Sequence, residues 1–230
     1  MMAALSRPAR DSWRVLWLLV MLVTAETAVG GGPAGTAPEP DPTAIRSYFA
    51  GQRMRVLTFL GYSGAGYENP AAMLDQVRQI LDRYDPRDTL VNSGATAEGI
   101  GAVYALAKRK GFATTGIVSA LARTERVPLA PQVDTVFYVR DAGWGGFLPG
   151  TETLSPTSQA MVENSDVLVA IGGGDVARDE LIAARRQGKR VEFIPADMNH
   201  RLAREKARKK SQPAPAEFSG VAATAFQRPQ

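Results

Sequence analysis

Ten residues, Asp166-Val167-Leu168-Val169-Ala170-Ile171-Gly172-Gly173-Gly174-Asp175, constrain the fold more than any other stretch of this chain. Val167 to Ile171 form an uninterrupted apolar run. A strand with no polar alternation is covered on both faces, which is how strands are buried in the parallel sheets of α/β proteins. Three glycines follow, where the strand must turn into the helix signalled by Val176-Ala177-Arg178-Asp179-Glu180-Leu181. With no side chains at the turn, a ligand's phosphate or sugar can approach the backbone N–H groups and the positive end of that helix. Open α/β sheets bind their ligands at such carboxyl ends. Gly172, Gly173, Gly174, Asp175 and Arg178 are therefore candidate ligand-binding residues, although three glycines also suit a tight strand-to-helix turn with no ligand.

The same alternation of strand and helix runs through the chain. Arg55 to Leu60 reads as a first strand closed by Gly61-Tyr62-Ser63-Gly64-Ala65-Gly66. Pro70 then opens a helix in which Met73, Leu74, Val77, Ile80 and Leu81 recur at helical spacing. Thr89 to Asn92 is the second strand; Ser93-Gly94-Ala95-Thr96-Ala97-Glu98-Gly99-Ile100-Gly101 leads from it into a helix that stops at Lys108-Arg109-Lys110-Gly111. Gly99 and Gly101 permit either close helix–sheet packing or close approach of a ligand. Ala113 to Ser119 and Asp134 to Val139 are the third and fourth strands, separated by a polar, proline-containing loop from Ala122 to Gln132. Arg140 to Gly150 is a glycine-rich loop whose Trp144 and Phe147 either lie over a base or sugar ring or pack on the domain surface. A helix opened by Pro156 leads into the glycine strand, and Val191 to Pro195 is the last strand. The pattern predicts an α/β fold, a doubly wound, Rossmann-like parallel sheet of five to seven strands in a single domain. Gly61, Gly64 and Gly66 do not reproduce the dinucleotide fingerprint G-x-G-x-x-G, so neither NAD nor any other cofactor is expected.

The two ends differ from this core. Residues 1–29 read as a secretory signal peptide or signal anchor: Arg7, Arg10 and Arg14 precede the apolar run Val15 to Val23, shorter than the roughly 20 residues of a spanning helix. Export to a periplasmic or extracellular space follows, or a cytoplasmic protein if the true start is Met54. Residues 30–43 are rich in Gly, Pro, Ala and Thr and read as a flexible linker. Ala44 to Gln52 reads as a short helix with Ile45, Tyr48 and Phe49 on one face, opening a folded domain of residues 44–200. Residues 201–230 form a basic helix from Arg201 to Lys210 and a proline-bearing tail expected to be disordered. Much of the formal charge of +4 sits at the ends, which points away from nucleic acid as a partner; membrane contact would run only through an uncleaved N-terminal segment. There is no cysteine, which excludes disulfides and thiolate chemistry, and the single histidine, His200, leaves no basis for a metal site or a Ser-His-Asp triad. A homodimer is compatible with these features.

Taken together, Gly61-Tyr62-Ser63-Gly64, Ser93-Gly94 through Gly99-Ile100-Gly101, and Gly172-Gly173-Gly174 through Glu180-Leu181 resemble the SLOG superfamily, which includes the LOG-type nucleotide phosphoribohydrolases once labelled lysine decarboxylases. The resemblance covers about residues 54 to 197 and lies in the order and spacing of the loops more than in residue identity. It implies a Rossmann-like sheet that holds a nucleotide or nucleotide-derived ligand, with Gly61, Ser63, Gly64, Gly94, Thr96 and Gly99 joining Gly172, Gly173, Gly174, Asp175, Arg178 and Trp144 as ligand contacts. The family's enzymes carry P-G-G-x-G-T-x-x-E, whose glutamate serves cleavage of the N-glycosidic bond. Gly173 and Gly174 match its glycine pair and Glu180 its glutamate. Gly172, Val176 and Ala177 stand where the family has proline, glycine and threonine, and the arginine and lysine of the preceding helix have no counterpart between Pro156 and Ser165. These departures imply ligand binding without the standard phosphoribohydrolase activity. Asp166, the glycine run and an acidic residue opening a helix that ends before Lys189-Arg190-Val191 are also similar to nucleoside 2-deoxyribosyltransferases. Both resemblances imply, as the alternative, an N-glycosidic hydrolase or transferase in which Glu180 meets the positive charge developing on the sugar, with Asp179 or Asp175 as the other carboxylates. Asp179 and Glu180 equally fit a helix N-terminus favoured by charge–dipole interaction, worth about 0.3–1 kcal/mol each.

Overall fold

The computed structural model describes residues 41–209 and 211–227; the expected signal segment and the linker up to residue 40 lie outside them. Six strands form one sheet: β1 (Arg55–Gly61), β2 (Thr89–Ser93), β3 (Ala113–Ser119), β4 (Thr135–Val139), β5 (Val167–Ile171) and β6 (Arg190–Ile194). Their order is β4-β3-β2-β1-β5-β6 and every pairing is parallel, a Rossmann-like arrangement. The chain steps outward from β1 to β4 and then returns to the far side of β1, so its direction of winding reverses between β1 and β5. A crevice opens at the carboxyl ends of the strands at such a point.

Helices cover both faces. On one lie α2 (Pro70–Leu81) and α3 (Ala102–Arg109), whose Met73, Val77, Val103 and Leu106 pack on Leu57, Phe59 and Val91. On the other lie α1 (Pro42–Gln52), α5 (Pro156–Glu163) and α6 (Asp175–Arg186), whose Ile45, Phe49, Met161 and Leu181 pack on Val56, Leu60 and Leu168. Alternate residues of β1 thus feed opposite cores, as the two-residue period of a strand requires. Both α1 and α2 start at a proline behind a capping side chain: Asp41 Oδ1 accepts from Thr43 N at 3.3 Å and Asn69 Oδ1 from Ala72 N at 3.0 Å. The loop expected from Ala122 to Gln132 begins instead in a one-turn helix, α4 (Leu121–Thr124). No helix of the described residues is long and apolar enough to cross a membrane.

One polar row crosses this apolar sheet. Thr58, Asn92 and Thr115 lie side by side on β1, β2 and β3 and are fully buried or nearly so. The Asn92 amide donates to Thr58 Oγ1 at 3.2 Å and to Met161 Sδ at 3.0 Å and accepts from Thr115 Oγ1 at 3.0 Å, while Thr58 Oγ1 meets Ser165 Oγ at 2.6 Å.

The C-terminal stretch corrects the sequence reading. The basic helix is present as α7 (His200–Lys209), but residues 211–227 of the tail expected to be disordered lie against the domain. Phe218 stacks on His200 at 4.0 Å, and its carbonyl accepts from Met198 N at 2.8 Å and from the Tyr62 hydroxyl at 3.3 Å. Ala222 N donates to Gly173 O at 3.1 Å, and a 3-10 turn, Ala222–Phe226, seats Ala222 and Ala225 in buried positions beside α6. The prolines suggested a segment with nothing to bury. Phe218, Ala222 and Ala225, joined by a glycine turn, supply contact area that composition hides.

Candidate functional site

A cavity of about 530 Å³ opens at the carboxyl ends of β1, β2 and β3. Its floor is Phe59, Leu60, Ser93, Ile117 and Ser119, and its sides are the loops after β1 and β2 together with Thr157 and Met161 of α5 and Val176, Ala177 and Glu180 of α6. Val127, Pro128 and Leu129 close one flank, Trp144 stands at another, and Lys206 reaches it from α7.

The two glycine loops are stitched together rather than independent. Ile100 N donates to Tyr62 O at 2.7 Å, which brings the turn after β2 onto the loop after β1. Gly99, with φ near +58°, lies so close to the Tyr62 and Ser63 carbonyls that no side chain fits, and Gly61 is equally closed by the Tyr67 hydroxyl. That hydroxyl donates to Ile171 O at 2.8 Å, fastening the same loop to β5. The sequence left Gly99 open between packing and ligand approach; its space is filled by the fold itself.

Glu180 is 3% exposed, yet it belongs to the cavity wall. The Ser158 hydroxyl donates to its Oε1 at 2.6 Å and itself accepts from Gly146 N at 2.7 Å, so a short chain of hydrogen bonds fixes the carboxyl from behind. Among the described residues no hydrogen bond reaches Oε2. Burial pushes the Glu180 carboxyl up to about 8; the Ser158 hydrogen bond opposes this, and the neighbouring Asp179 charge adds to it. At neutral pH the group therefore carries a proton, so it both donates and accepts hydrogen bonds.

Asp179, weighed with Glu180 as a carboxylate for chemistry, does not line the cavity. It is 5% exposed, and its Oδ2 accepts from Phe147 N at 2.8 Å while Oδ1 holds the Arg178 guanidinium at 2.8 Å. Neighbours in sequence on a helix diverge by about 100°, so Glu180 faces the cavity and Asp179 faces the loop of residues 140–150. Asp141 secures the other end of that loop through Gly143 N and Thr157 N, both at 2.9 Å. Burial is the largest influence and would raise the Asp141 carboxyl, but these two amides and the nearby hydroxyls together hold it below the usual range. The hydroxyls of Ser155 and Thr157 lie near it and add to the pull without reaching hydrogen-bond geometry. So anchored, the loop presents Trp144, 45% exposed, at the cavity, while Phe147 pairs with Leu154 instead.

Of the residues singled out from sequence, Gly61, Ser63, Gly64, Gly94, Thr96, Trp144 and Glu180 come together around the cavity. Gly99, Gly172, Gly173, Gly174, Asp175 and Arg178 are not among its lining residues. Gly172 packs under the Tyr62 ring and Gly173 under Ala222, while Arg178 pairs with Asp175 and Asp179 at 2.8 Å each. Sequence reasoning missed Val127 to Leu129, Glu98 and Lys206. The first three carry no periodicity, and Lys206 is one of several basic residues on α7 until the fold shows which one reaches the site.

The sequence matches no protein-family model, and no curated protein matches it. Among solved structures the chain is similar to TM1055, a structural-genomics X-ray structure, at 21% identity over 60% of this chain and 72% of that one, with a TM-score of 0.43. It is also similar to the molybdenum cofactor carrier protein of Chlamydomonas reinhardtii, at 18% identity over 61% of this chain and 76% of that one, with a TM-score of 0.44. A further structure of that carrier aligns over 76% of this chain and 94% of its own at 17% identity, with the same TM-score. These likenesses assign no residue of this chain a role.

Proposed function

We propose that the domain binds a nucleotide or nucleotide-derived small molecule in the cavity at the ends of β1, β2 and β3, without the standard phosphoribohydrolase reaction. The observation that carries the reading is the site's composition: apolar walls and an exposed tryptophan for a flat ring, hydroxyls of Ser63, Ser93, Thr96 and Ser119 for a sugar, the last three already bonded to Phe59 O, Glu98 and Leu121 N but each with a hydrogen-bonding position left, and one protonated carboxyl, Glu180, suited to the donor–acceptor edge of a base. Thermal-shift and calorimetric titration of the full chain with nucleosides and nucleotides tests it. A stabilising ligand is expected; no effect from any compound at millimolar concentration refutes it.

A second reading, N-glycosidic cleavage, is favoured by the same proton. A buried acid near pKa 8 can protonate a departing base at neutral pH. Its other use, as a standing carboxylate beside a positively charged sugar, first requires ionisation, which at pH 7 costs about 1.4 kcal/mol for each unit that the pKa lies above the pH. Chromatographic detection of free base from any nucleoside or nucleoside monophosphate supports cleavage, and its absence across the panel refutes it.

A further inference from the structure

We propose that the ligand of this site carries no phosphate: it is a nucleoside or a similar base–sugar compound rather than a nucleotide. The inference rests on the nucleotide-derived reading above and narrows it. Phosphate in sheets of this kind is held by a glycine turn and the helix behind it, through unpaired N–H groups and the positive end of the helix. In this chain the carbonyl side of that turn is taken by the chain itself. Ala222 N donates to Gly173 O, and Gly220, with φ near +67°, presses on the Gly173 carbonyl and the Tyr62 ring closely enough to exclude even a methyl group. Gly172 is closed by Tyr62 and the Ala196 carbonyl. Asp175, the first residue of α6, puts an exposed carboxylate at the helix's positive end, and Arg178 of the same turn is already shared between Asp175 and Asp179.

The lining of the cavity carries no net positive charge in its place. Its charged lining groups are Glu98, Lys206 and Glu180, and with Glu180 protonated the remaining two cancel. A phosphate brings about −1.5 to −2 near neutral pH, and among the described residues the lining offers one cation against it, Lys206, whose charge Glu98 offsets. A base and a sugar need only the ring surfaces and hydroxyls that are present.

Calorimetry on the full chain at pH 7 with adenosine, guanosine, cytidine, uridine and their 5′-monophosphates separates the cases. At least one nucleoside is expected to bind at least about tenfold more tightly than its own monophosphate. Asp175 is exposed, so Asp175→Asn leaves the fold intact, and removing its charge is expected to narrow that gap about twofold to fivefold, the fold-change that corresponds to about 0.3–1 kcal/mol at a helix terminus. A monophosphate that binds as tightly as its nucleoside, or a gap that Asp175→Asn leaves unchanged, overturns the proposal while the nucleotide-derived reading stands. Silence from both sets of compounds overturns that reading and this inference together.

Discussion

Burial of Glu180 ties the stability of the fold to pH in an unusual direction. Unfolded, the side chain ionises near 4.5; folded, near 8. Between those values the folded state holds a proton that the unfolded state has released, so stability falls as pH rises, by about 1.4 kcal/mol per pH unit, and levels off above the folded pKa. From pH 5.5 to pH 8 the loss is about 3 kcal/mol, a large part of the 5–15 kcal/mol typical of a domain. Glutamine at this position keeps the shape, still accepts from the Ser158 hydroxyl and does not titrate. Asp141 works in the opposite sense, its contribution being lost as pH falls through its lowered pKa, but it is common to both proteins and cancels in the comparison. Urea denaturation of wild type and Glu180→Gln at pH 5.5, 7 and 8.5 should show the variant gaining on the wild type by about 3 kcal/mol across the series. A difference that stays constant with pH would refute the argument, because it would mean that the folded carboxyl ionises as readily as the unfolded one.

Gly220→Ala places a side chain where the Gly173 carbonyl and the Tyr62 hydroxyl stand, at a positive φ that costs alanine a further ~1 kcal/mol or more. The tail should lift while the sheet survives: amides near Ala222 lose hydrogen-exchange protection and those of β1 and β5 keep it, whereas an unchanged Ala222 amide would contradict the described packing. Trp144→Ala should leave stability within about 0.5 kcal/mol, because the ring is exposed and its loop is held from behind by Asp179 and Ser158. Affinity for a bound nucleoside should fall about twofold to tenfold, the equivalent of about 0.5–1.5 kcal/mol of ring contact; equal affinity would remove Trp144 from the site.

The strands were legible because central strands of a parallel sheet are buried on both faces and leave unbroken apolar runs, as Val167 to Ile171 do. The loops were legible as glycine clusters, but the reason for each glycine was not. Gly99, Gly172 and Gly173 are small because another part of the chain sits against them, and a ligand would leave the same mark in the sequence. The pairing that seats Val127 to Leu129 beside the cavity, Ala130 N to Ala95 O at 2.9 Å, joins segments with no shared pattern. Helix geometry separates Asp179 from Glu180, but only the neighbours of α6 reveal which of the two faces the cavity.

The buried row of Thr58, Asn92 and Thr115 bears on how the sheet finds its alignment. Strands that are apolar on both faces discriminate poorly between alignments: if β2 slides two residues along β1, every side chain keeps its face and one aliphatic neighbour replaces another. Asn92 breaks that degeneracy, since the slid strand would set its amide beside Val56 or Leu60 instead of Thr58. Each buried polar group stranded in this way costs about 1–3 kcal/mol, and the amide brings both a donor and an acceptor. The amide thus acts as a key that admits one alignment of β1, β2 and β3, and the position at which those three strands end determines where the walls of the cavity begin.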